Sequence, residues 1–233
     1  MCIRDRDVIS NNMANSNTVG YKDEKVASQA FDQVLGIKIR DGSQAYHNEC
    51  IGSLSLGVKI GETYTDYSQG SVRQTGGTYD LALSGSGFFT VSVTDKAGEV
   101  HTRYTRDGRF HLTKDGLLVD ADGNAVQGQN GNITIDPSSK NVSISATGQI
   151  TADGELVDTL NIVDFEDYDY LKKYGDTMYE PVDGATTKDA EGEILQGYTE
   201  QSNVNVVREM VDMITITRAY EASQKVIHSY DSM

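Results

Sequence analysis

A few side chains in the sequence are of types that bind metals or transfer protons. His47 and Cys50 lie in "HNEC" and are possible zinc ligands, but no second pair follows at metal-ligand spacing, so a polar loop is expected. His101 and His111 have no nucleophile motif nearby and are expected to be ordinary strand residues. Nothing in the sequence fixes the separation of the carboxylates in "DFEDYDY" (164–170), so a solvated acidic face is favoured over a hydrolytic pair. The sequence therefore predicts no active site.

Two short motifs resemble ligand-binding loops but fail at specific positions. "GSGFFT" begins like a dinucleotide-binding glycine motif, yet its sixth position is Thr90 and no strand–helix–strand unit surrounds it. "DADGN" resembles a calcium loop, but counting from Asp120 the sixth residue is Ala125 and the twelfth is Gly131, where such a loop needs Gly and Glu. We expect no metal ion and no cofactor.

The charge of the chain restricts its partners. The 233 residues include 35 acidic and 20 basic ones, for a net charge of −15. Nucleic acid and anionic membranes both require a basic surface, so neither is expected as a partner. No apolar run approaches the ~18 residues of a membrane span, and no apolar segment follows "MCIRDR" as it would in a secretory signal. Cys2 and Cys50 form no disulfide framework.

Three zones differ in their residue patterns. Residues 7 to about 35 indicate an interrupted helix that ends in "ASQAFDQVL". Residues 54 to 197 contain runs rich in Val, Ile, Tyr and Phe bounded by turn residues, which predicts β structure throughout. Between residues 104 and 128, Asp-Gly turns recur every seven or eight residues, as in a meander or open barrel of short strands. Residues 202 to about 230 predict one long helix with a polar cap in "QSN".

The stretch "ISNNMANSNTVGYK" (9–22) contains five asparagines. Asn favours caps and turns over helix interiors because its amide competes for backbone hydrogen bonds. We therefore expect a helix through Met13 or Ala14 and then an irregular segment that turns at Gly20. The side-chain amides are expected to satisfy backbone groups that are left free at the end of the helix.

The C-terminal helix shows a heptad pattern. One row at alternating spacings of four and three residues consists of Val206, Met210, Met213, Thr217, Tyr220, Gln224 and Ile227. A second row beside it consists of Val207, Val211, Ile214 and Arg218. Two adjacent rows cover more surface than a two-stranded coil requires, so the helix is expected to contact more than one neighbour.

Three segments, in this order, resemble the bacterial flagellar rod and hook proteins. They are "DVISNNMANSNTVGYK", then "GSGFFTVSV" with "YTRDGRFHLTKDGLLVDADGNAVQG", and finally "QSNVNVVREMVDMITITRAYEASQKVI". The resemblance is greatest to the distal-rod type and next to the proximal-rod type. It implies a mainly β fold with terminal α-helices, in which the N- and C-terminal helices form a coiled-coil-like assembly domain around a central β domain of short antiparallel strands.

The resemblance also implies domain boundaries. The expected divisions are an N-terminal helical assembly segment (1–35), an extended connecting segment (36–70), the central β domain (71–197) and a C-terminal assembly helix (198–233). Family members carry a longer apolar helix before the asparagine motif, so segment 1–35 is expected to be shortened, and "MCIRDR" does not fit that helix.

The function implied by the resemblance is that of a structural subunit of the flagellar basal-body rod, not an enzyme. Such subunits form a helical tubular filament of identical copies, contact other rod and hook proteins, transmit torque to the hook, and leave the cell through the flagellar type III export apparatus without a cleaved signal peptide. The residues that match the assembly motifs are Asn11, Asn12, Asn15, Asn17, Gly20, Val207, Met210, Ile214, Thr217, Arg218, Tyr220, Glu221 and Ile227.

Two alternatives remain at this point. The first is a proximal rod or hook subunit. The second is a secreted, acidic, β-rich protein that binds carbohydrate, with its 13 Tyr residues as stacking surfaces. Within the rod interpretation, we expect Ile214 to be needed for assembly, and Glu200 to be an exposed side chain that can be replaced by Lys with little effect.

Overall fold

The computed structural model of the chain describes residues 2–31, 34–38, 49–54, 57–95, 98–139 and 141–232. Helix α1 spans Cys2–Ala14, helix α2 spans Val206–Asp231, and a 3-10 helix spans Tyr168–Tyr170. The strands are β1 (Asp23–Ala30), β2 (Val34–Lys38), β3 (Glu49–Leu54), β4 (Val58–Asp66), β5 (Val72–Gln74), β6 (Leu81–Ser84), β7 (Phe88–Thr94), β8 (Val100–Thr105), β9 (His111–Leu112), β10 (Leu118–Val119), β11 (Ala125–Gly128), β12 (Gly131–Asn132), β13 (Val142–Ile144), β14 (Gln149–Ala152), β15 (Glu155–Thr159), β16 (Ile162–Phe165), β17 (Leu171–Tyr174), β18 (Met178–Pro181), β19 (Thr187–Asp189), β20 (Glu193–Gln196) and β21 (Tyr198–Glu200).

The helical interpretation of residues 7 to 35 is wrong after Ala14. The segment "DEKVASQA" is strand β1, which pairs with β4 in a two-stranded sheet. Its Ala, Glu, Lys and Gln residues all favour helices, but local propensity is weak and pairing with a distant strand overrides it. Cys50, expected in a polar loop, lies on strand β3, and His47 lies outside the described residues.

The largest sheet of the described chain confirms the expected β region. Its main path runs in the order β17-β18-β8-β7-β11-β10-β9, and its pairs are antiparallel. Strands β9, β10 and β11 form the meander that the spaced Asp-Gly turns predict. The pair Asp107-Gly108 is an exception, because a Cβ at Gly108 would lie only 1.7 Å from the carbonyl oxygen of Leu81. Glycine is therefore needed at position 108, because the backbone of Leu81 packs too closely for any side chain.

Two groups of buried side chains form the core of the β region. The larger group is aliphatic with two Phe rings, and it includes Leu81, Phe89, Val91, Phe110 and Ile150. The smaller group is aromatic: Phe88 packs against Phe165 and Tyr179, with ring centroids 6.1 and 5.6 Å away. Tyr67, Tyr104 and Tyr168 pack onto this second group. These tyrosines stabilise the interior, so they are not part of an exposed stacking surface for sugars.

The chain divides into two compact units. One consists of Met1–Ser10, Glu24–Thr65 and Asp212–Met233, and the other of Asn11–Asp23 and Asp66–Val211. The second unit contains both core groups, the end of α1 and the beginning of α2. Segment Asn11–Asp23 thus belongs to the same compact unit as the β region that begins at Asp66. In sequence, 42 residues of the other unit (24–65) separate this segment from the β region.

This division predicts a specific pattern of limited trypsin digestion. We expect rapid cleavage after exposed Arg4, Lys59, Arg218 and Lys225, and no cleavage after Lys22, whose side chain is 1% exposed. Buried backbone resists proteases because cleavage requires local unfolding. The fragment that carries residues 11–22 should therefore stay bound to the resistant β fragment on gel filtration, and should separate from it in urea. Early cleavage after Lys22 in the native protein would contradict this prediction.

Candidate functional site

The end of helix α1 is closed by Asn15. Its backbone N–H and its side-chain Nδ2 both donate to the carbonyl oxygen of Asn11, at 3.0 and 3.2 Å. Its Oδ1 accepts from Thr18 Oγ1 at 3.0 Å, and its carbonyl accepts from the Thr18 N–H. The helix ends at Ala14, as the sequence predicts. Asn15 therefore does what was expected of the asparagine motif: it satisfies a carbonyl at the end of a helix.

Gly20 lies where the segment after α1 approaches the β region. Its φ is +71°, and a Cβ there would lie 2.4 Å from the backbone nitrogen of Asp107. Its N–H donates to the carbonyl oxygen of Glu200 at 2.9 Å. Both the left-handed conformation and the close approach require glycine. The predicted turn at Gly20 is confirmed.

Asn12 has a different role from Asn15, because its side chain is buried and contacts other buried side chains. Nδ2 donates to Asp23 Oδ1 at 2.6 Å and to Glu209 Oε2 at 3.3 Å, and Oδ1 accepts from the Tyr21 hydroxyl at 3.0 Å. Only 1% of Asn12 is exposed. The expectation that all the asparagine amides close the helix end is wrong for Asn12, which links the end of α1 to the first turn of α2. Asn11 and Asn17 are exposed at the surface.

A buried ion triad lies in the same compact unit as this amide. Lys22 Nζ is 2.6 Å from Glu200 Oε1, and Arg106 Nη1 is 3.3 Å from Glu200 Oε2. Glu200 is 0% exposed, so the expectation of an exposed, replaceable side chain is wrong. Its Oε1 also accepts from the Gly70 N–H at 2.9 Å. We call Asn12, Lys22, Asp23, Arg106, Glu200, Asn203 and Glu209 the junction cluster.

The electrostatic balance of the triad depends on Glu200. Burial lowers the pKa of the Lys22 ammonium from its ordinary value, and the nearby Glu200 carboxylate opposes that effect. Arg106 adds a second positive charge, which also lowers the pKa of Lys22. The Lys22 ammonium makes a further hydrogen bond to the carbonyl oxygen of Ser68 at 2.8 Å. Glu200 thus contacts two buried cations at once, and its loss would remove the compensating charge from both.

The segment that leads into α2 is fixed by two further asparagines. Asn203 Oδ1 accepts from the Asp23 N–H at 2.8 Å, and Asn203 Nδ2 donates to the carbonyl oxygen of Asp66 at 2.8 Å. Asn205 Oδ1 accepts from the Arg208 N–H at 3.2 Å, as an N-cap side chain does. The helix begins at Val206, so the expected start at Ser202 with a cap in "QSN" is wrong by four residues.

Helix α2 presents most of its apolar residues to solvent. Val207 is 72% exposed, Ile214 52% and Ile227 66%. Met210, Thr217, Arg218, Tyr220 and Glu221, the other assembly residues expected on this helix, are exposed as well. Among the described residues of α2, only Glu209 is buried. The structure therefore places Asn12 in the junction cluster and Gly20 next to Glu200, whereas Asn15 closes the end of α1. Within the described part of the chain, most residues of the predicted helix rows are exposed.

One carboxylate of the acidic stretch 164–170 is not solvated. Asp164 is 0% exposed; its Oδ1 accepts from the Tyr168 hydroxyl at 2.8 Å, and its Oδ2 is 3.1 Å from Lys188 Nζ. Burial alone raises the pKa of Asp164, but hydrogen bonds from Tyr168, Lys188 and Ser86 outweigh it and lower the pKa overall. Burial, together with the hydrogen bond to Asp164, raises the pKa of Tyr168 to about 12. This is a stabilising contact between the 3-10 helix and β16.

The raised pKa of Tyr168 predicts a stability change at alkaline pH. Because the folded pKa lies above the ordinary value of about 10, the neutral hydroxyl stabilises the fold below pH 10, and this contribution is lost as the pH rises towards 12. We expect Tyr168→Phe to melt at a lower temperature than the wild type at pH 8, with a difference that shrinks between pH 10 and 12. Tyr170→Phe, at an exposed neighbour, should show no such convergence. A melting difference that stays constant over this range would contradict the assignment.

The remaining chemical motifs have structural roles where the structure describes them. Asp120 Oδ1 accepts from the N–H groups of Asp122 and Asn124, both at 2.9 Å, and so closes the turn of "DADGN". His101 and His111 lie on β8 and β9, as expected. Within the described ranges, no three His, Cys, Asp or Glu side chains are grouped so that they could hold a metal ion. Neither described helix is long and apolar enough to cross a membrane.

Three family models match separate parts of the chain. Residues 6–22 match the model described as "Flagella basal body rod protein", residues 82–152 match "Flagellar hook protein FlgE/F/G D1 domain", and residues 195–233 match "Flagellar basal body rod FlgEFG protein C-terminal". Each matched segment supplies one member of the ion triad: Lys22, Arg106 and Glu200 respectively. The triad thus joins the three segments that carry the likeness.

Curated relatives match almost the whole chain. The chain is 34% identical to the flagellar basal-body rod protein FlgG of Buchnera aphidicola subsp. Schizaphis graminum, over 97% of this chain and 90% of that protein. It is 36% identical to FlgG of Caulobacter vibrioides over the same shares. It is also 34% identical to FlgF of Caulobacter vibrioides, over 96% of this chain and 86% of that protein.

The buried ion triad joins the segment after α1, the β region and the strand that precedes α2. The matched models place the chain in the class of flagellar rod and hook proteins. The chain belongs to the family of flagellar basal-body rod proteins, and it is a FlgG-like member of that family. The resemblance seen in the sequence is confirmed.

Four members of the junction cluster could not be singled out from the sequence. The chain has 55 charged residues, and a charged residue is expected to be solvated. Nothing in the local sequence distinguishes the four buried ones, Lys22, Arg106, Glu200 and Glu209, from the rest. The signal that could have found them is their position: all four lie inside segments that match the family.

Proposed function

We propose that this FlgG-like chain forms the rod by polymerising through its terminal helices into a helical tubular filament, which serves as an axial drive shaft and transmits torque to the hook. Family membership makes the chain a structural protein of the flagellar basal body that works with other rod and hook proteins. This proposal includes the filament geometry and the coiled-coil-like packing of the helices. It also includes export through the type III apparatus and the absence of enzymatic activity. The domain divisions at residues 35, 70 and 197 are a further part of it.

The observation that carries the proposal is the exposed apolar face of α2. Val207, Val211 and Ile214 of the second row, and Ile227 of the first, are 52 to 72% exposed along a helix of 26 residues. Large contiguous apolar surfaces on a protein mark interaction sites. A heptad arrangement favours helices as the covering elements, and identical copies supply such helices in a homo-oligomer.

The distribution of charge also supports contacts between like helices. Helix α1 carries Arg4, Asp5, Arg6 and Asp7, and is neutral overall. Helix α2 carries three basic and four acidic residues, for a net charge of −1. The net charge of −15 therefore belongs almost entirely to the rest of the chain. Helices with almost no net charge can approach each other without the like-charge repulsion that the β region would produce.

Concentration-dependent sedimentation of the full chain tests the proposal. We expect monomer at low concentration and large, elongated species above a critical concentration, with tubular particles in electron micrographs. A chain that stays monomeric at every concentration and salt condition tested, and that fails to restore motility to a strain without its own FlgG-type rod protein, would overturn the proposal. Binding to glycans without self-association would favour the carbohydrate-binding alternative.

A further inference from the structure

The first turn of helix α2 belongs to the second unit and contains a buried carboxylate. Glu209 is 7% exposed and is the buried side chain of the helix within the described residues. Its carboxylate accepts from the side-chain amide of Asn12, which lies in the last turn of α1. The two residues are 197 positions apart in sequence. The end of one terminal helix thus contacts the beginning of the other through this pair of side chains.

The chemistry of an amide suits this position. Asn12 donates from Nδ2 to two carboxylates, those of Asp23 and Glu209, while its oxygen accepts from Tyr21. A primary amide has two donors and an acceptor in one plane, so these three bonds fix its orientation. Because the amide is neutral, it can lie between two carboxylates in a buried place. A carboxylate there would add like-charge repulsion, and an alkyl group would leave both acceptors without this donor.

We propose that Asn12 is a positioning residue that fixes the first turn of α2 against the end of α1 in the free subunit. The two helix ends are then already ordered when they contact the next copy. Part of the entropy cost of ordering them is therefore met when the subunit folds, and not each time a copy adds to the filament. This inference rests on the proposed function, because it assumes that the helices form the contacts between copies.

Amide hydrogen exchange of the full-length monomer tests the positioning step directly. In Asn12→Ala, we expect backbone amides of residues 206–211 to exchange roughly tenfold faster, since a hydrogen bond to a charged group contributes on that scale to local stability. Amides paired between β7 and β8 should exchange at the wild-type rate. Asn17→Ala is the matched control, because Asn17 belongs to the same asparagine stretch but is not buried.

A second variant guards against a general folding defect in Asn12→Ala. Glu209→Ala removes the same contact from the α2 side and leaves the segment Asn11–Asp23 unchanged. We expect loss of protection at the same amides, and the double variant should exchange there no faster than the more affected single one, because all three lack the Asn12–Glu209 interaction. Unchanged exchange at 206–211 in both single variants, or additive effects in the double variant, would overturn the positioning role.

The assembly readout separates this inference from the proposed function. Asn12→Ala should lengthen the lag before sedimenting species form and raise the critical concentration by roughly tenfold, while seeded growth still yields the same tubes. If exchange at 206–211 rises but the lag and the critical concentration stay at wild-type values, the prepositioning has no part in assembly and the inference fails. Failure of the wild-type chain to assemble would instead overturn the proposed function.

Discussion

Replacing Glu200 with lysine is expected to lower the melting temperature of the second unit by about 10 °C or more. The substitution removes the carboxylate that lies 2.6 Å from Lys22 and 3.3 Å from Arg106 and puts a third cation in its place. Breaking a buried ion pair from one side costs about 3–5 kcal/mol, and a domain of this size loses about 2–4 °C per kcal/mol. Thermal unfolding followed by tyrosine fluorescence or circular dichroism measures the effect.

Glu155→Lys provides the matched control for this prediction. It makes the same change of charge in the same compact unit, but Glu155 is an exposed residue on β15. Its melting temperature should stay within about 2 °C of the wild type, since surface substitutions away from special contacts change stability by about 0.5 kcal/mol or less. Equal melting temperatures for the two variants would show that the triad does not hold the unit together.

Ile214→Asp is expected to abolish assembly and leave the monomer folded. Ile214 is 52% exposed, so a carboxylate there remains hydrated in the free chain. In a filament the same carboxylate would be buried, with the loss of about 1.5–3 kcal/mol of apolar burial and the additional cost of an unpaired charge. A loss of about 3 kcal/mol or more raises the critical concentration by at least about 100-fold. Sedimentation measures assembly, and swimming in soft agar measures motility.

Ile214→Leu is the control for that variant, because it keeps an apolar side chain of the same volume. It should assemble with a critical concentration within a few-fold of the wild type. The melting temperature of the β region should be the same in both variants. Motility of cells that carry Ile214→Asp, or unfolding of the β region in that variant, would show that α2 is not a contact surface between copies.

The sequence predicts the elements whose structure is determined locally. The end of α1 at Ala14, the turn at Gly20 and the meander from His111 to Gly128 all follow from asparagine, glycine and hydrophobic patterns over a few residues. Strand β1 does not follow, because its residues favour a helix and only the distant β4 makes them a strand.

The junction cluster could not be predicted from the sequence for a related reason. Whether Glu200 is solvated or buried depends on Lys22 and Arg106, which lie 178 and 94 positions away. Whether an asparagine closes a helix, as Asn15 does, or joins two helices, as Asn12 does, depends on what lies opposite its amide. Residue type and spacing contain no information about such distant neighbours. They do predict the apolar rows of α2, because heptad spacing is a local property.

The separation of 178 residues between Lys22 and Glu200 has a consequence for the order of events during synthesis. Closing a loop of that length in an unfolded chain costs about 4–5 kcal/mol, so the β strands between them must form first and bring the two ends near each other. A ribosome has to release the chain through residue 200 before Glu200 can reach Lys22. Until then the segment Asn11–Asp23 lacks its contacts with Glu200, Asn203 and Glu209, although its contacts with the region around Ser68 and Asp107 can form.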